Sequence, residues 1–215
     1  MHAVRYGTLV DNVLPPVRER HLAIVRDVVL IACGVGLVAA CAQISIPWFP
    51  VPLTGQTFAV LLVGGLLGFW RAAVALAAYW AIGALGAPIF SGGEGGWEQF
   101  TSPSGGYILG FILAAALVGF LAERGADRRL VTMLGVLLMG NVLIYAVGVP
   151  WLAYSSGPDG VDFGWAQAYE LGVQPFILGD LVKLAAVALL LPAGYALVRR
   201  AGLRRRTDGP EPGIL

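Results

Sequence analysis

Apolar residues fall into six long runs, separated by short segments rich in charged residues, glycine and proline. The runs cover residues 25–44, 55–69, 72–88, 106–121, 130–151 and 175–198. A helix rises about 1.5 Å per residue, so roughly 20 apolar residues cross the hydrocarbon core of a bilayer. The pattern predicts an all-α integral membrane protein, a six transmembrane helix bundle. The second run is short, so we expect it to cross only part of the membrane.

One membrane domain over 1–215 is the simplest division of this pattern. We expect a cytoplasmic N-terminal segment (1–24), the six-helix bundle (25–200) and a basic, disordered cytoplasmic tail (201–215). Hydrophobic residues make up 58% of the chain, charged residues 13%, and the mean hydropathy is +0.78, which excludes a water-soluble globular domain. The net charge of +1 gives no electrostatic basis for a nucleic-acid partner, whereas membrane lipid is an expected one.

The arginines predict the orientation. All 13 lie before or at the start of the first run, between the second and third runs, between the fourth and fifth runs, or after the sixth. The alternate loops contain Glu94, Glu98, Asp159, Asp162 and Glu170 and no basic residue. Positively charged loops stay in the cytoplasm, so both termini are predicted to be cytoplasmic. The expected location is a bacterial-type plasma (inner) membrane, which the chain crosses several times.

The single lysine, Lys183, lies in the sixth run three residues after Asp180. Residues at i and i+3 share a helix face, so the two side chains are predicted to pair. A charge inside a membrane helix costs about 2.5–3.5 kcal/mol, which makes this pair a functional hypothesis. Two interpretations stay open: a structural ion pair, or a ligand site. Asn141, within the fifth run, is likewise either a helix–helix contact or a ligand contact.

Two outer segments add polar groups. The glycine-rich stretch 91–110 brings Gly105, Gly106 and Tyr107 to the start of the fourth run. There Ser102 is predicted as the N-cap with Pro103 first in the helix, which would leave free N–H groups for an anion. The stretch 43–57 contains three prolines and is predicted to form a stiff lid, with Thr54, Gln56 and Thr57 facing a cavity.

Small residues recur every fourth position in the first run, at Ala32, Gly36 and Ala40. This spacing lets another helix approach closely, either within the bundle or from a partner. We take this face as the candidate partner-docking surface. The chain has no P-loop, H-E-x-x-H or G-x-S-x-G motif, and no metal or other cofactor is implied. An enzyme is therefore disfavoured.

Four motifs together resemble the BioY family, the biotin-binding S components of energy-coupling-factor (ECF) vitamin transporters. They are ISIP at 44–47 with VPLTGQT at 51–57, TSPSGGY at 101–107, GNVLIY at 140–145 with GVPW at 148–151, and GDLVK at 179–183. The chain departs from the family pattern at Leu178, where a proline is common, and at Glu94.

The resemblance implies a six-helix transporter subunit that captures biotin from outside. It also implies a coupling subunit and two ATPases as partners, since this chain has no ATPase of its own. Asp180 would accept from a ureido N–H of biotin, while Lys183 and Asn141 would either donate to the ureido carbonyl or share the carboxylate, so both ends of biotin stay open as the partner of Lys183. The start of the fourth run, with Tyr107, would hold the other polar end. An S component for another vitamin, a small membrane enzyme and a structural membrane protein are the alternatives.

Overall fold

The computed structural model describes residues 7–14, 17, 19–157 and 160–200 and is almost entirely helical. Its α-helices are α1 (Leu9–Val13), α2 (Arg20–Gln43), α3 (Gln56–Leu67), α4 (Phe69–Ala84), α5 (Trp97–Thr101), α6 (Gly105–Ala122), α7 (Leu130–Ala153), α8 (Gly164–Gly172) and α9 (Ile177–Arg200). Short 3-10 helices cover Ser91–Gly93, Ala126–Arg128 and Gln174–Phe176. The predicted basic tail, 201–215, lies outside the described residues.

Four helical segments of the described chain are long and apolar enough to cross a membrane: Arg20–Gln43, Gly105–Ala122, Leu130–Ala153 and Gly164–Arg200. α3 and α4 are apolar but shorter. Each predicted run thus contains one apolar helix, while six complete crossings remain a prediction. The 12 residues of α3 rise about 18 Å, less than the hydrocarbon thickness, in line with the short second run.

α6 lies at the centre of the bundle, against α7, α3 and α4. Its neighbours approach closely because small residues stand at the crossings. A Cβ at Gly110 would lie 3.0 Å from the backbone of Ile144 in α7. A Cβ at Gly64 in α3 would lie 2.8 Å from the carbonyl oxygen of Ala115. Such crossings supply the van der Waals contact that holds helices together in lipid.

The turn between α3 and α4 lies earlier in the chain than the run boundaries predict. Those boundaries place it at Trp70 and Arg71, but the chain turns at Gly68, whose φ of +82° favours glycine. Arg71 instead belongs to the first turn of α4 and is 7% exposed. Its guanidinium donates at 2.9 Å to both Asp11 of α1 and Asp27 of α2. It therefore ties three helices together.

The segment 152–174, expected to be a loop, contains helix α8. The predicted lid is also more ordered than expected, because its two ends pair as strands. β1 (Ser45–Ile46) and β2 (Leu53–Thr54) form an antiparallel hairpin with Ser45 opposite Thr54. The prolines lie in the loop between these strands, where a missing N–H removes no ladder hydrogen bond.

One end of the bundle, which we call the arginine-rich end, gathers the basic residues. Contacts join the helix ends there: Arg71 of α4 with Asp27 of α2, the Phe69 amide with Glu123, and the Tyr195 hydroxyl of α9 with Asp127. The described arginines at this end are Arg20, Arg26, Arg71, Arg124, Arg128, Arg129, Arg199 and Arg200. The starts of α3, α6 and α9 lie at the opposite end.

Asp127 is a buried carboxyl at the arginine-rich end, outside the spanning helices. It is fully buried, and its Oδ2 accepts from the Tyr195 hydroxyl at 2.6 Å. Its Oδ1 has no hydrogen-bond partner within the part of the chain that the structure describes. Burial raises the pKa of Asp127 to about 6, although the Tyr195 hydrogen bond and the Arg128 charge oppose the shift.

We expect Asp127 to make the free energy of unfolding fall by roughly 2 kcal/mol as pH rises from 4 to 6.5. Its folded pKa of about 6 exceeds the usual 3.8, so the folded state holds the proton more tightly. That stabilisation is complete below pH ~4 and is lost as pH rises through the folded pKa. Asp127→Asn has no charge to bury and should lack this decline. Thermal unfolding of the parent protein and of Asp127→Asn in detergent between pH 4 and 6.5 measures this difference in pH dependence. Stability profiles that run parallel for the two proteins would contradict the prediction.

Candidate functional site

A cavity of about 640 Å³ opens at the end of the bundle opposite the arginine-rich end. This volume falls in the range of small-molecule sites, roughly 300–1,000 Å³. The hairpin loop, the segment 90–104 and helices α3, α6, α7 and α9 all contribute to its wall. The lining residues are Ser45, Pro47, Trp48, Phe49, Pro50, Val51, Pro52, Thr54, Gln56, Thr57, Phe90, Ser91, Gly92, Glu94, Gln99, Ser102, Ser104, Tyr107, Ile108, Phe111, Ile144, Tyr145, Phe176 and Asp180.

Asp180 supplies the buried charge on this wall. It is 3% exposed, although it belongs to the first turn of α9. The predicted pairing with Lys183 is confirmed, since Lys183 Nζ lies 3.0 Å from Asp180 Oδ1. The Tyr145 hydroxyl of α7 donates to Asp180 Oδ2 at 2.6 Å. Both carboxylate oxygens thus have a partner, as a buried charge requires.

Lys183 itself is not among the residues that line the cavity, although its side chain is only 20% exposed. Asp180 and Glu94 are the charged residues on the wall, so no basic side chain of the described chain reaches it. The ammonium group compensates the charge of Asp180. The arrangement presents a buried hydrogen-bond acceptor to the cavity, which suits a ligand with N–H or O–H donors.

Thr54, Gln56 and Thr57 lie on the cavity wall, where β2 leads into α3. The side chains of Thr54 and Gln56 are hydrogen-bonded to each other. The Thr54 hydroxyl donates to Gln56 Oε1 at 2.9 Å, and Gln56 Nε2 donates to the Tyr79 hydroxyl at 2.8 Å. Tyr79 in turn donates to the Ile89 carbonyl oxygen at 3.1 Å. This chain of hydrogen bonds fixes Gln56 and connects the hairpin to α4.

Tyr107 also lines the cavity, but its hydroxyl already donates to the Gly172 carbonyl oxygen of α8 at 3.0 Å. Gly105 and Gly106 do not line it. A Cβ at Gly105 would meet the Phe100 carbonyl oxygen, and one at Gly106 would meet the side chain of Trp151. Close packing is therefore the visible reason for glycine at both positions, rather than access of a ligand to the backbone.

The predicted start of the fourth helix was wrong by two residues. Helix α6 begins at Gly105, after Ser104, rather than at Pro103 after Ser102. Ser102 accepts from the Ser104 amide at 3.3 Å and donates to the Gln99 carbonyl oxygen at 2.7 Å. These bonds belong to a turn between α5 and α6, which the proline at 103 helps to form. The helix start predicted as an anion site is therefore displaced and packed against neighbours.

Asn141 does not reach the cavity wall, although it lies one turn from Tyr145 on α7. Its Oδ1 is buried and has no hydrogen-bond partner among the described residues. The structure thus brings Asp180, Tyr107, Thr54, Gln56 and Thr57 to one cavity, but not Lys183, Asn141 or the glycine pair.

Tyr145 is the site residue that sequence reasoning missed. The available signal was a phenolic hydroxyl inside an apolar run, which needs a polar partner when buried. That signal does not identify the partner of the hydroxyl, because Asp180 lies 35 residues later on another helix. Only the packing of α7 against α9 brings the two side chains together.

Comparisons with known proteins agree with the motifs. A model of the BioY family matches residues 13–200. The chain is 34% identical over 186 residues to the biotin transporter BioY of Rhizobium etli, covering 80% of this chain and 96% of the relative. It is 39% identical over 165 residues to the probable biotin transporter BioY of Pyrococcus horikoshii, covering 77% and 93%.

A solved structure has the same fold. It is described as the S-component for biotin from an ECF-type ABC transporter, and it superimposes with a TM-score of 0.68. The match covers 89% of this chain and 96% of that chain at 24% sequence identity. At this identity the likeness shows the fold.

Proposed function

The chain belongs to the BioY family, and from that premise we propose that it is the biotin-capturing S component of an ECF transporter. It is a transporter subunit rather than an enzyme. It binds biotin at the outer face of the membrane and carries it inward with the energy of partner ATPases. The observation that carries this proposal is the buried Asp180 carboxylate, held by two partners at the wall of a cavity of ligand size.

The charges of the wall favour one orientation of biotin. Its ureido ring carries two N–H donors, and its valerate tail ends in a carboxylate. Because Asp180 is buried and negative, a second carboxylate beside it would be strongly disfavoured. The ureido ring therefore faces Asp180 and the tail points toward the segment 90–104. There the polar side chains of Ser91, Gln99 and Ser104 line the wall, and Glu94 on the same segment is exposed, so that solvent and salt screen its charge far more than that of the buried Asp180.

The position of the cavity supports capture from outside. The arginine-rich end is predicted to be cytoplasmic, because basic residues are retained on that side. The cavity opens at the other end, where Gln56, Tyr107 and Asp180 start their helices. Six crossings, cytoplasmic termini and residence in a bacterial-type plasma membrane are parts of the same proposal.

Helix α2 lies at the periphery of the bundle and buries only Gly34, Val38 and Ala42. Ala32, Gly36 and Ala40 are all exposed on another face of this helix. A Cβ at Gly36 would meet nothing within 4 Å, so no described residue packs there. We propose that this face, the Ala32–Gly36–Ala40 face, receives a helix of the coupling subunit, which in turn binds two ATPases.

Biotin binding by the purified chain alone tests the function. We expect calorimetric titration in detergent to show tight, near-stoichiometric binding of biotin, weaker binding of desthiobiotin and no binding of riboflavin. Riboflavin binding in place of biotin would identify an S component for another vitamin. A folded protein that binds neither would make the Asp180–Lys183 pair structural and would overturn the proposal.

A further inference from the structure

Tyr145 makes the shortest hydrogen bond of the buried site, 2.6 Å from its hydroxyl to Asp180 Oδ2. Tyr145 also lines the cavity, whereas Lys183, which holds the other oxygen at 3.0 Å, does not. O–H donors to a carboxylate form bonds of about 2.5–2.7 Å and are roughly twice as strong as neutral ones. The bond between Tyr145 and Asp180 therefore fixes the carboxylate from the ligand side.

We propose that Tyr145 is a positioning and specificity-determining residue for biotin, because it orients the Asp180 carboxylate toward a ureido N–H. The inference rests on the function proposed above and deepens it. Lys183 cannot do this alone, since it lies on the same helix as Asp180 and has a long, flexible side chain. Tyr145 approaches from α7, and its rigid ring packs edge-on against Tyr107 with centroids 6.3 Å apart.

The same bond determines what Tyr145 offers to a ligand. A tyrosine hydroxyl has one proton, and here that proton is given to Asp180. The hydroxyl therefore has no proton left for a ligand, and its effect on the ligand passes through the carboxylate that it holds. A carboxylate held in this orientation favours a ring with an N–H opposite it and disfavours an analogue in which that N–H is replaced by oxygen. Leaving a buried acceptor unpaired in this way costs binding free energy.

A second tyrosine–aspartate pair supplies a matched control. Tyr195 donates to Asp127 Oδ2, also at 2.6 Å, at the arginine-rich end. Neither residue lines the cavity. Removal of the Tyr195 hydroxyl deletes the same kind of buried bond without touching the ligand site. Any effect that is common to both tyrosine variants therefore reports on folding and not on recognition.

The experiment compares Tyr145→Phe with Tyr195→Phe in calorimetric titrations with biotin. We expect Tyr145→Phe to weaken biotin binding by about 10- to 100-fold, the loss of one hydrogen bond to a charged group. Tyr195→Phe should lower thermal stability and keep the affinity of the parent protein. If Tyr145→Phe binds biotin as tightly as the parent, the inference fails while the proposed function stands. If the parent binds no biotin, the proposed function itself fails.

A double-mutant cycle separates positioning from general packing. If Tyr145 acts through Asp180, Tyr145→Phe should add less than threefold to the loss caused by Asp180→Asn. An additional loss of tenfold or more would show an independent role and overturn the inference.

Isosteric analogues with one ureido N–H replaced by oxygen give a second readout in the single variant Tyr145→Phe. Tyr145→Phe should discriminate about tenfold less between biotin and the disfavoured analogue; unchanged discrimination would also overturn it.

Discussion

Asp180→Asn is expected to weaken biotin binding by about 100- to 1,000-fold while the bundle remains folded. The amide has the shape of the carboxylate, so it preserves packing at a position that is only 3% exposed. It loses the negative charge and one acceptor, and it leaves Lys183 without its counter-ion. A buried charge pair that loses one member costs several kcal/mol, and here the loss falls on the atom that faces the ligand.

Titration calorimetry of the variant, with thermal unfolding in the same detergent, measures both effects. Asp127→Asn is the matched control, because it neutralises another buried carboxylate at the arginine-rich end. It should bind biotin as the parent does. Parent-like affinity in Asp180→Asn would mean that the carboxylate serves the structure only. Loss of folding in Asp180→Asn would shift the test to Tyr145→Phe, which leaves the charges in place.

Gly36→Leu is expected to reduce assembly with the coupling subunit by roughly 5- to 150-fold and to leave biotin binding unchanged. Nothing lies within 4 Å of a Cβ at this position, so the chain should fold normally around the leucine. The new side chain would hold an incoming helix away from the Ala32–Gly36–Ala40 face. Overpacking of a close contact costs about 1–3 kcal/mol, which corresponds to roughly 5- to 150-fold in affinity.

Co-purification of the coupling subunit and biotin uptake by whole cells give the readouts. Gly135→Leu is the control, since Gly135 lies on α7 and is equally open, with nothing within 4 Å of its Cβ. It should assemble and transport like the parent. Unchanged assembly in Gly36→Leu would remove α2 as the docking helix. Equal losses in both variants would mean that any leucine on a lipid-facing glycine disturbs the complex.

Helix positions were largely predictable because they depend on local sequence. A run of apolar residues must form a helix in lipid, since each backbone N–H and C=O needs an internal partner. The Asp180–Lys183 pair was predictable for the same reason, because helix geometry alone places residues three apart on one face. The failures arose where tertiary contacts decide the backbone. The turn at Gly68 and the start of α6 at Gly105 depend on which neighbours press against those glycines.

The sequence by itself determined that this protein is helical, lies in a membrane, carries Asp180 and Lys183 on one helix face and belongs to the BioY family. The tertiary structure decided which polar residues meet. It brought the Tyr145 hydroxyl within hydrogen-bond distance of Asp180 and left Asn141 and Lys183 away from the cavity wall. It also packed Gly105 and Gly106 against aromatic residues. Contacts within one helix follow from a fixed rise and turn per residue. Contacts between helices depend on the rotation and depth of each helix, which the packing of the whole bundle sets.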